Sequence, residues 1–177
     1  MKGDIEGTAL QLLAPLYSAD LIQDGWTVFL QALSTVIASD VAIAVCLDVD
    51  GRSLEFMCEG LFSKDMIASY EAHFAAIDPW AEAFLSGSRP FGKIVSSNEL
   101  LSASEFEKTE YYNDFWRPND DLFYTCGALM KVGDGLANVG MPRCRDRGDY
   151  DQSDIALLDI LAPHIGLALE MHRRLGR

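Results

Sequence analysis

Histidines, cysteines and carboxylates are the side chains best able to run a reaction, and here their spacing argues against one. His73, His164 and His172 all fall in helical sequence, and the last two are eight residues apart, so no pair sits on adjacent turns as a helical zinc site needs. Cys46, Cys58, Cys126 and Cys144 are scattered, with no Cys-x-x-Cys pair, and read as reduced core thiols. Asp120-Asp121 and the series Glu105, Glu107, Glu110 read as a turn and a solvated helix face. No Gly-rich phosphate loop follows a strand and no G-x-S-x-G elbow is present. The expectation is a protein that is not an enzyme and uses neither metal nor cofactor.

Binding chemistry is better represented. In YEAHFAAIDPWA (Tyr70–Ala81) an acid and a proline interrupt an apolar run of helical spacing. Asp78 before Pro79 is a good N-cap, because proline's missing N–H costs nothing in a first turn. A carboxylate has a second oxygen, so the same residue can also take a ligand. Six large aromatics crowd two short segments: Tyr70, Phe74 and Trp80, then Tyr111, Tyr112 and Trp116. Aromatics with a few polar handles line small-molecule pockets, and they also fill ordinary helix–sheet cores. Spacing alone leaves both readings open.

The elements that would position these residues follow from periodicity. A helix is predicted from Thr8 to Ile22, kinked at Pro15, and a second after Asp24, with Trp26, Phe29, Leu30, Leu33, Val36 and Ile37 as its apolar stripe. Val41–Val49 and Ser53–Leu61 read as strands joined by an Asp50-Gly51 turn. Ser63 caps a helix whose Met66, Ile67, Tyr70, Phe74 and Ile77 share one face. A short helix after Asp78-Pro79 reaches Leu85, and Ser86–Pro90 breaks it. Lys93–Ser97 is a short strand, and a helix capped by Ser102 or Ser104 runs through EFEKTEYYNDFW to the break at Arg117-Pro118. Leu122–Val132 and Leu136–Cys144 form a second hairpin. A closing helix starts at Asp151, with Asp154 suiting its positive end and Arg173 and Arg174 its negative end. That order is α+β, an antiparallel sheet with helices packed on it, in a single domain spanning 1–177.

The closing helix has two apolar stripes. One is Ile155, Leu158, Ala162, Ile165, Leu169 and His172; the other is Leu157, Leu161, His164, Ala168, Met171 and Leu175. Two stripes suggest a homodimer through this helix, or else a second stripe covered by the chain's own N-terminal helices. A net charge of −13 repels phosphate backbones and anionic membrane surfaces, so the chain itself reads no nucleic acid. With no secretory signal and no run approaching the ~20 apolar residues of a membrane span, a cytoplasmic setting is expected.

Taken in order, Y-x-x-x-F-x-x-x-D-P from Tyr70, the E-Y-Y-x-D-F-W helix, T-C-G-A-L-M-K-V before a Gly turn, and the closing D-x-x-D-I-A-L-L-x-x-L-A-P-H-I-x-x-A-L resemble one family. It is the N-terminal sensory domain of LuxR-type bacterial transcriptional regulators, related to the autoinducer-binding and GAF/PAS-like folds. The resemblance covers nearly the whole chain. It implies an α-β-α sandwich with a central antiparallel sheet, a small-molecule effector between sheet and helices, and a homodimer. It implies DNA binding only through a helix-turn-helix domain beyond residue 177. Carried over by position, Asp78 is the acid facing the ligand, Phe74 a wall residue, and Trp116 part of the helix that closes the pocket. Gly127 is a strand glycine, and Tyr70 lies one residue from the family's pocket tyrosine; Trp80 and Tyr112 complete the expected ligand-binding set. Two family tryptophans are replaced, near Met66 and within Lys93–Ser97. These departures count against an acyl-homoserine lactone, and the resemblance implies the domain class and not the ligand. A ligand-free dimerisation module and a GAF-like thiol enzyme built on converging cysteines remain the alternatives.

Overall fold

Periodicity switches from helical to alternating and back, and the fold follows those switches. The computed structural model describes residues 4–47, 53–60, 63–86 and 89–175. Helices α1 (Ile5–Tyr17) and α2 (Gly25–Ile37) lead into strands β1 (Val41–Leu47) and β2 (Ser53–Gly60). Next come α3 (Lys64–Ala72), a 3-10 turn (Phe74–Ile77), α4 (Pro79–Leu85), β3 (Val95–Ser96), α5 (Ser97–Leu100) and α6 (Ala103–Phe106). A π-helix (Tyr111–Trp116), β4 (Leu122–Val132), β5 (Gly135–Cys144), a second 3-10 turn (Arg145–Arg147) and α7 (Gln152–Leu175) complete the chain. The five strands form one antiparallel sheet in the order β2-β1-β5-β4-β3.

Alternate residues of the three central strands point to opposite layers. Ala42, Ala44 and Cys46 of β1, Ala128 and Met130 of β4, and Ala137, Val139 and Met141 of β5 are buried under α1, α2 and α7. The small side chains let Phe29, Leu30, Leu33, Leu158, Leu161 and Ile165 come down on the sheet and fill that layer. The opposite layer is aromatic: Phe74, Trp80, Phe106, Tyr111, Tyr112, Phe115, Trp116 and Phe123 cluster there with Val41 and Leu122. The architecture is an α-β-α sandwich, as the α+β order implied.

Local chemistry explains most element ends. Ser63 caps α3 through the N–H of Met66 (3.2 Å), and Asp151 takes the N–H groups of Ser153 (2.7 Å) and Asp154 (2.9 Å) at the start of α7. The β4–β5 turn has Gly133 at its first central position with φ of 60°, as a primed hairpin turn requires. The expected Asp50-Gly51 turn lies outside the described residues, as do Val49, Leu61 and part of Ser86–Pro90.

Five expectations need correction. The first helix spans Ile5–Tyr17 instead of Thr8–Ile22, because Asp4 caps it through the N–H of Gly7 (3.0 Å). The helix after Ser63 stops at Ala72, and the strand in Lys93–Ser97 is only Val95–Ser96. The segment from Ser102 to Trp116 is not one α-helix: α6 is a single capped turn, and a π-helix follows it. Finally, α7 is long and apolar enough by length and mean hydropathy to cross a membrane, although no such run was expected. Its Leu158, Leu161, Ile165 and Leu169 are buried in the aliphatic layer, so it is a core helix. Its first stripe faces that layer. In the second stripe Leu157, Leu161 and Ala168 are buried, and His164 Nδ1 pairs with the Tyr17 hydroxyl of α1 (2.7 Å), while Met171 and Leu175 are exposed.

Candidate functional site

Between the sheet and the aromatic layer lies a cavity of about 750 Å³, within the range of small-molecule sites. Its floor is the other alternate set of strand residues: Ile43, Val45 and Leu47 of β1, Thr125, Gly127 and Leu129 of β4, and Asn138, Gly140 and Pro142 of β5. Gly127 and Gly140 are register partners, flanked by Val95 and Ile43. The two glycines do different work. A Cβ on Gly127 would stand 2.2 Å from the Val139 carbonyl oxygen, so the close approach of β5 excludes any side chain. A Cβ on Gly140 would meet nothing within 4 Å, so this residue leaves the middle of the floor open.

The walls come from α3, α4 and the π-helix. In a π-helix the hydrogen bonds run i→i+5, and Arg117 N–H indeed bonds to Tyr112 O (2.8 Å). Residues five apart then share a face, so Tyr111 and Trp116 both line the cavity, with ring centroids 5.9 Å apart. Trp80, at the start of α4, closes the box at 5.7 Å from Trp116 and 5.8 Å from Tyr111. It is held by stacking on Phe106 (4.5 Å), and its buried Nε1 has no hydrogen-bond partner among the described residues.

Asp78 joins these walls. Its Oδ1 caps α4 by accepting the N–H groups of Trp80 (2.9 Å) and Ala81 (3.1 Å). Its Oδ2 accepts the hydroxyls of Tyr70 (2.9 Å) and Tyr111 (3.0 Å). Burial pushes this carboxyl above the usual aspartate range, and the four donors oppose that shift. Burial first, and then the Asp78 charge, push both tyrosine hydroxyls upward, so they remain protonated donors. Tyr111 is fully buried among the rings of Trp80, Phe115 and Trp116, whereas Tyr70 is only half-buried. The lining includes Asp78 and Glu71 and, among the described residues, no Lys, Arg or His.

Of the residues expected from sequence, Tyr70, Asp78, Trp80, Trp116 and Gly127 border the cavity. Phe74 and Tyr112 do not. Phe74 stacks on Phe115 (4.8 Å) behind the wall, and Tyr112 packs on Phe106 and Phe123 and donates its hydroxyl to Asp121 (2.5 Å). The π-helical phase turns Tyr112 away and puts Tyr111 in its place. Sequence reasoning missed Tyr111, Gly140, Thr125 and Asn138. The alternation of β4 and β5, counted outward from the Gly133–Asp134 turn, carried the signal for the last three.

Among the described cysteines, Cys46 and Cys126 are buried and Cys144 is half-buried. Cys126 touches the cavity lining, but burial holds its thiol well above the ordinary value, and burial with Asp40 pushes Cys144 up to about 12. A shallower groove of about 390 Å³ lies on the surface between Phe91, Met130 and the Ala162–Glu170 stretch of α7.

No family model matches the chain, and no curated protein matches it by sequence. Solved structures do share its fold. The LBD domain of VqsR from Pseudomonas aeruginosa superposes with a TM-score of 0.64 at 18% identity, over 96% of this chain and 98% of that one. SdiA of Escherichia coli, in complex with octanoyl-rac-glycerol, gives 0.61 at 15% identity, covering 94% of this chain and 67% of its own. A GAF domain/HD domain protein from Geobacter sulfurreducens gives 0.54 at 14% identity, over 82% and 89%. The chain has the fold shared by autoinducer-binding and GAF domains.

Proposed function

We propose that this chain is the small-molecule-sensing domain of a LuxR-type transcriptional regulator, working in the cytoplasm and without catalytic activity of its own. The observation that carries this reading is the aromatic-walled cavity of about 750 Å³ between sheet and helices. A ligand-free dimerisation module would fill that space with its own side chains. The fold neighbour SdiA, in complex with octanoyl-rac-glycerol, lends support from outside the chain.

The rest of the mechanism extends this reading. An effector held between the two layers biases the arrangement of the output helix α7 by its difference in affinity for two states, and by no more than that. Ile160, Leu167, Met171 and Leu175 are exposed at steps of seven, four and four residues along α7. We place the homodimer contact on this line, with DNA read by a helix-turn-helix domain outside residues 1–177.

Thermal unfolding with 1-octanoyl-rac-glycerol and a panel of neutral medium-chain metabolites tests the sensing role. A ligand at 100 times its Kd stabilises by about 2.7 kcal/mol. At about 2–4 °C per kcal/mol for a domain of this size, Tm should rise by roughly 5–10 °C. No shift with any compound, together with no small molecule retained in native mass spectrometry, sinks the proposal. Sedimentation of Leu167→Glu against the parent chain tests the dimer line; an unchanged oligomeric state removes it.

A further inference from the structure

Asp78 has no acceptor capacity left for a ligand. A carboxylate offers about four acceptor sites, two on each oxygen. Two backbone N–H groups occupy Oδ1, and two tyrosine hydroxyls occupy Oδ2. A ligand donor, neutral or cationic, reaches the carboxylate only by displacing one of these. What Asp78 does instead is fix the direction of the hydroxyls. With its proton committed to Asp78, each tyrosine oxygen presents lone pairs elsewhere. Tyr111 is buried among the rings of Trp80, Phe115 and Trp116, which crowd its oxygen, whereas Tyr70 is half-buried on the cavity wall.

From this arrangement, and resting on the sensing reading above, we propose that the effector is an uncharged, largely apolar molecule whose hydroxyl or amide N–H donates to the Tyr70 oxygen, with Asp78 as a positioning residue. The lack of any basic side chain in the described lining excludes an anion, which would be buried beside the Asp78 charge with no counter-ion. An ammonium ion would have to break the hydrogen-bond set of Asp78 to reach it. Thr125 and Asn138 supply further polar contacts on the floor. At about 30 Å³ for each water-sized group, the cavity holds a ligand of roughly 25 such groups at most.

The test uses four octyl probes with the intact chain and three variants: octanamide, methyl octanoate, octanoate and octylammonium. The readout is the dissociation constant, from titration of tryptophan fluorescence. Octanamide should bind about tenfold more tightly than methyl octanoate, in line with one good hydrogen bond, and the two charged probes more weakly than either. Tyr70→Phe should abolish the amide-over-ester preference, and Tyr111→Phe should retain it. Asp78→Asn is the discriminating variant. The Asn oxygen is needed at the α4 cap, so its NH₂ must face the tyrosines and donate to them, turning their hydroxyl protons outward. Ester affinity should therefore rise above that of the parent chain while the amide preference disappears.

If Asp78→Asn weakens octanamide and leaves methyl octanoate unchanged, the ligand touches the carboxylate directly and the inference is wrong. Tight binding of octanoate or octylammonium, or a preference that survives Tyr70→Phe, also overturns it while leaving the sensing role intact. If none of the four binds at millimolar concentration, this inference is overturned, and the thermal-unfolding panel with native mass spectrometry decides whether the sensing reading falls with it. Circular dichroism of each variant separates loss of binding from loss of fold.

Discussion

Ala42, Ala44 and Cys46 point from β1 into the layer of α1, α2 and α7, while Ile43, Val45 and Leu47, alternating with them, point toward α3, α4 and the π-helix. The first layer is full and the second is partly hollow. On the full side small strand residues let large aliphatic side chains descend onto the sheet. On the hollow side aromatic rings lean on one another, Trp80 on Phe106 and Phe74 on Phe115, and span a floor that two facing glycines keep low. One sheet thus serves as a packed core on one face and as a binding floor on the other. The side chains, not the backbone, make the difference.

Substitutions on the two faces should therefore behave differently. Leu161→Ala, in the full layer, should cost about 2–5 kcal/mol in urea unfolding, because the neighbours cannot collapse into the gap. A cost below about 1 kcal/mol would mean that this side is not tightly packed. Next in size, Tyr111→Phe deprives a buried carboxylate of a donor and should cost about 1.5–3 kcal/mol. Tyr112→Phe loses a bond to the less buried Asp121 and should cost about 0.5–1.5 kcal/mol. Equal effects would contradict the π-helical phase.

The glycine pair gives the sharpest contrast. Gly127→Ala forces a Cβ against the Val139 carbonyl and should destabilise by about 1–3 kcal/mol. Gly140→Ala adds a methyl group to open space and should stabilise by about 0.5–1 kcal/mol through the strand alone. Gly140→Leu should keep the fold while abolishing binding of any ligand that lies across the floor. If both alanine variants respond alike, the floor is not open at Gly140.

The smallest effect is in pH dependence. The folded state holds the Asp78 proton more tightly than the unfolded chain does. This group's contribution to stability is thus fully present below the ordinary aspartate value of about 3.9 and is lost as pH rises through the raised folded value. Asp78→Asn removes that titration. Its stability relative to the parent should improve as pH rises above the ordinary aspartate range, read as the difference in urea midpoints. A flat difference would place Asp78 in a more polar setting than the structure gives it.

How much of this was legible beforehand depends on the range of the interaction concerned. The Asp78-Pro79 cap, the Ser63 cap and the β4–β5 hairpin were readable because each is decided within a few residues by side-chain oxygens, proline geometry or a glycine turn. Tyr112 was expected on the wall as one of the crowded aromatics, and in an α-helix it would share a face with Trp116, four residues on. No residue preference announces an i→i+5 ladder, and only packing against Phe106, Phe123 and the sheet selects it.

By itself, then, the sequence determined the element types, the α+β order, the alternation of each strand and the acid that begins α4. These are local properties, set by backbone sterics and by the period of apolar residues. Tertiary structure decided which aromatics face the cavity, whether that cavity is open, and where the second oxygen of Asp78 is spent. Each of those depends on side chains far apart in the chain meeting at a fixed distance, as Tyr111 meets an acid 33 residues away. That distance is set by how closely the two layers approach the sheet.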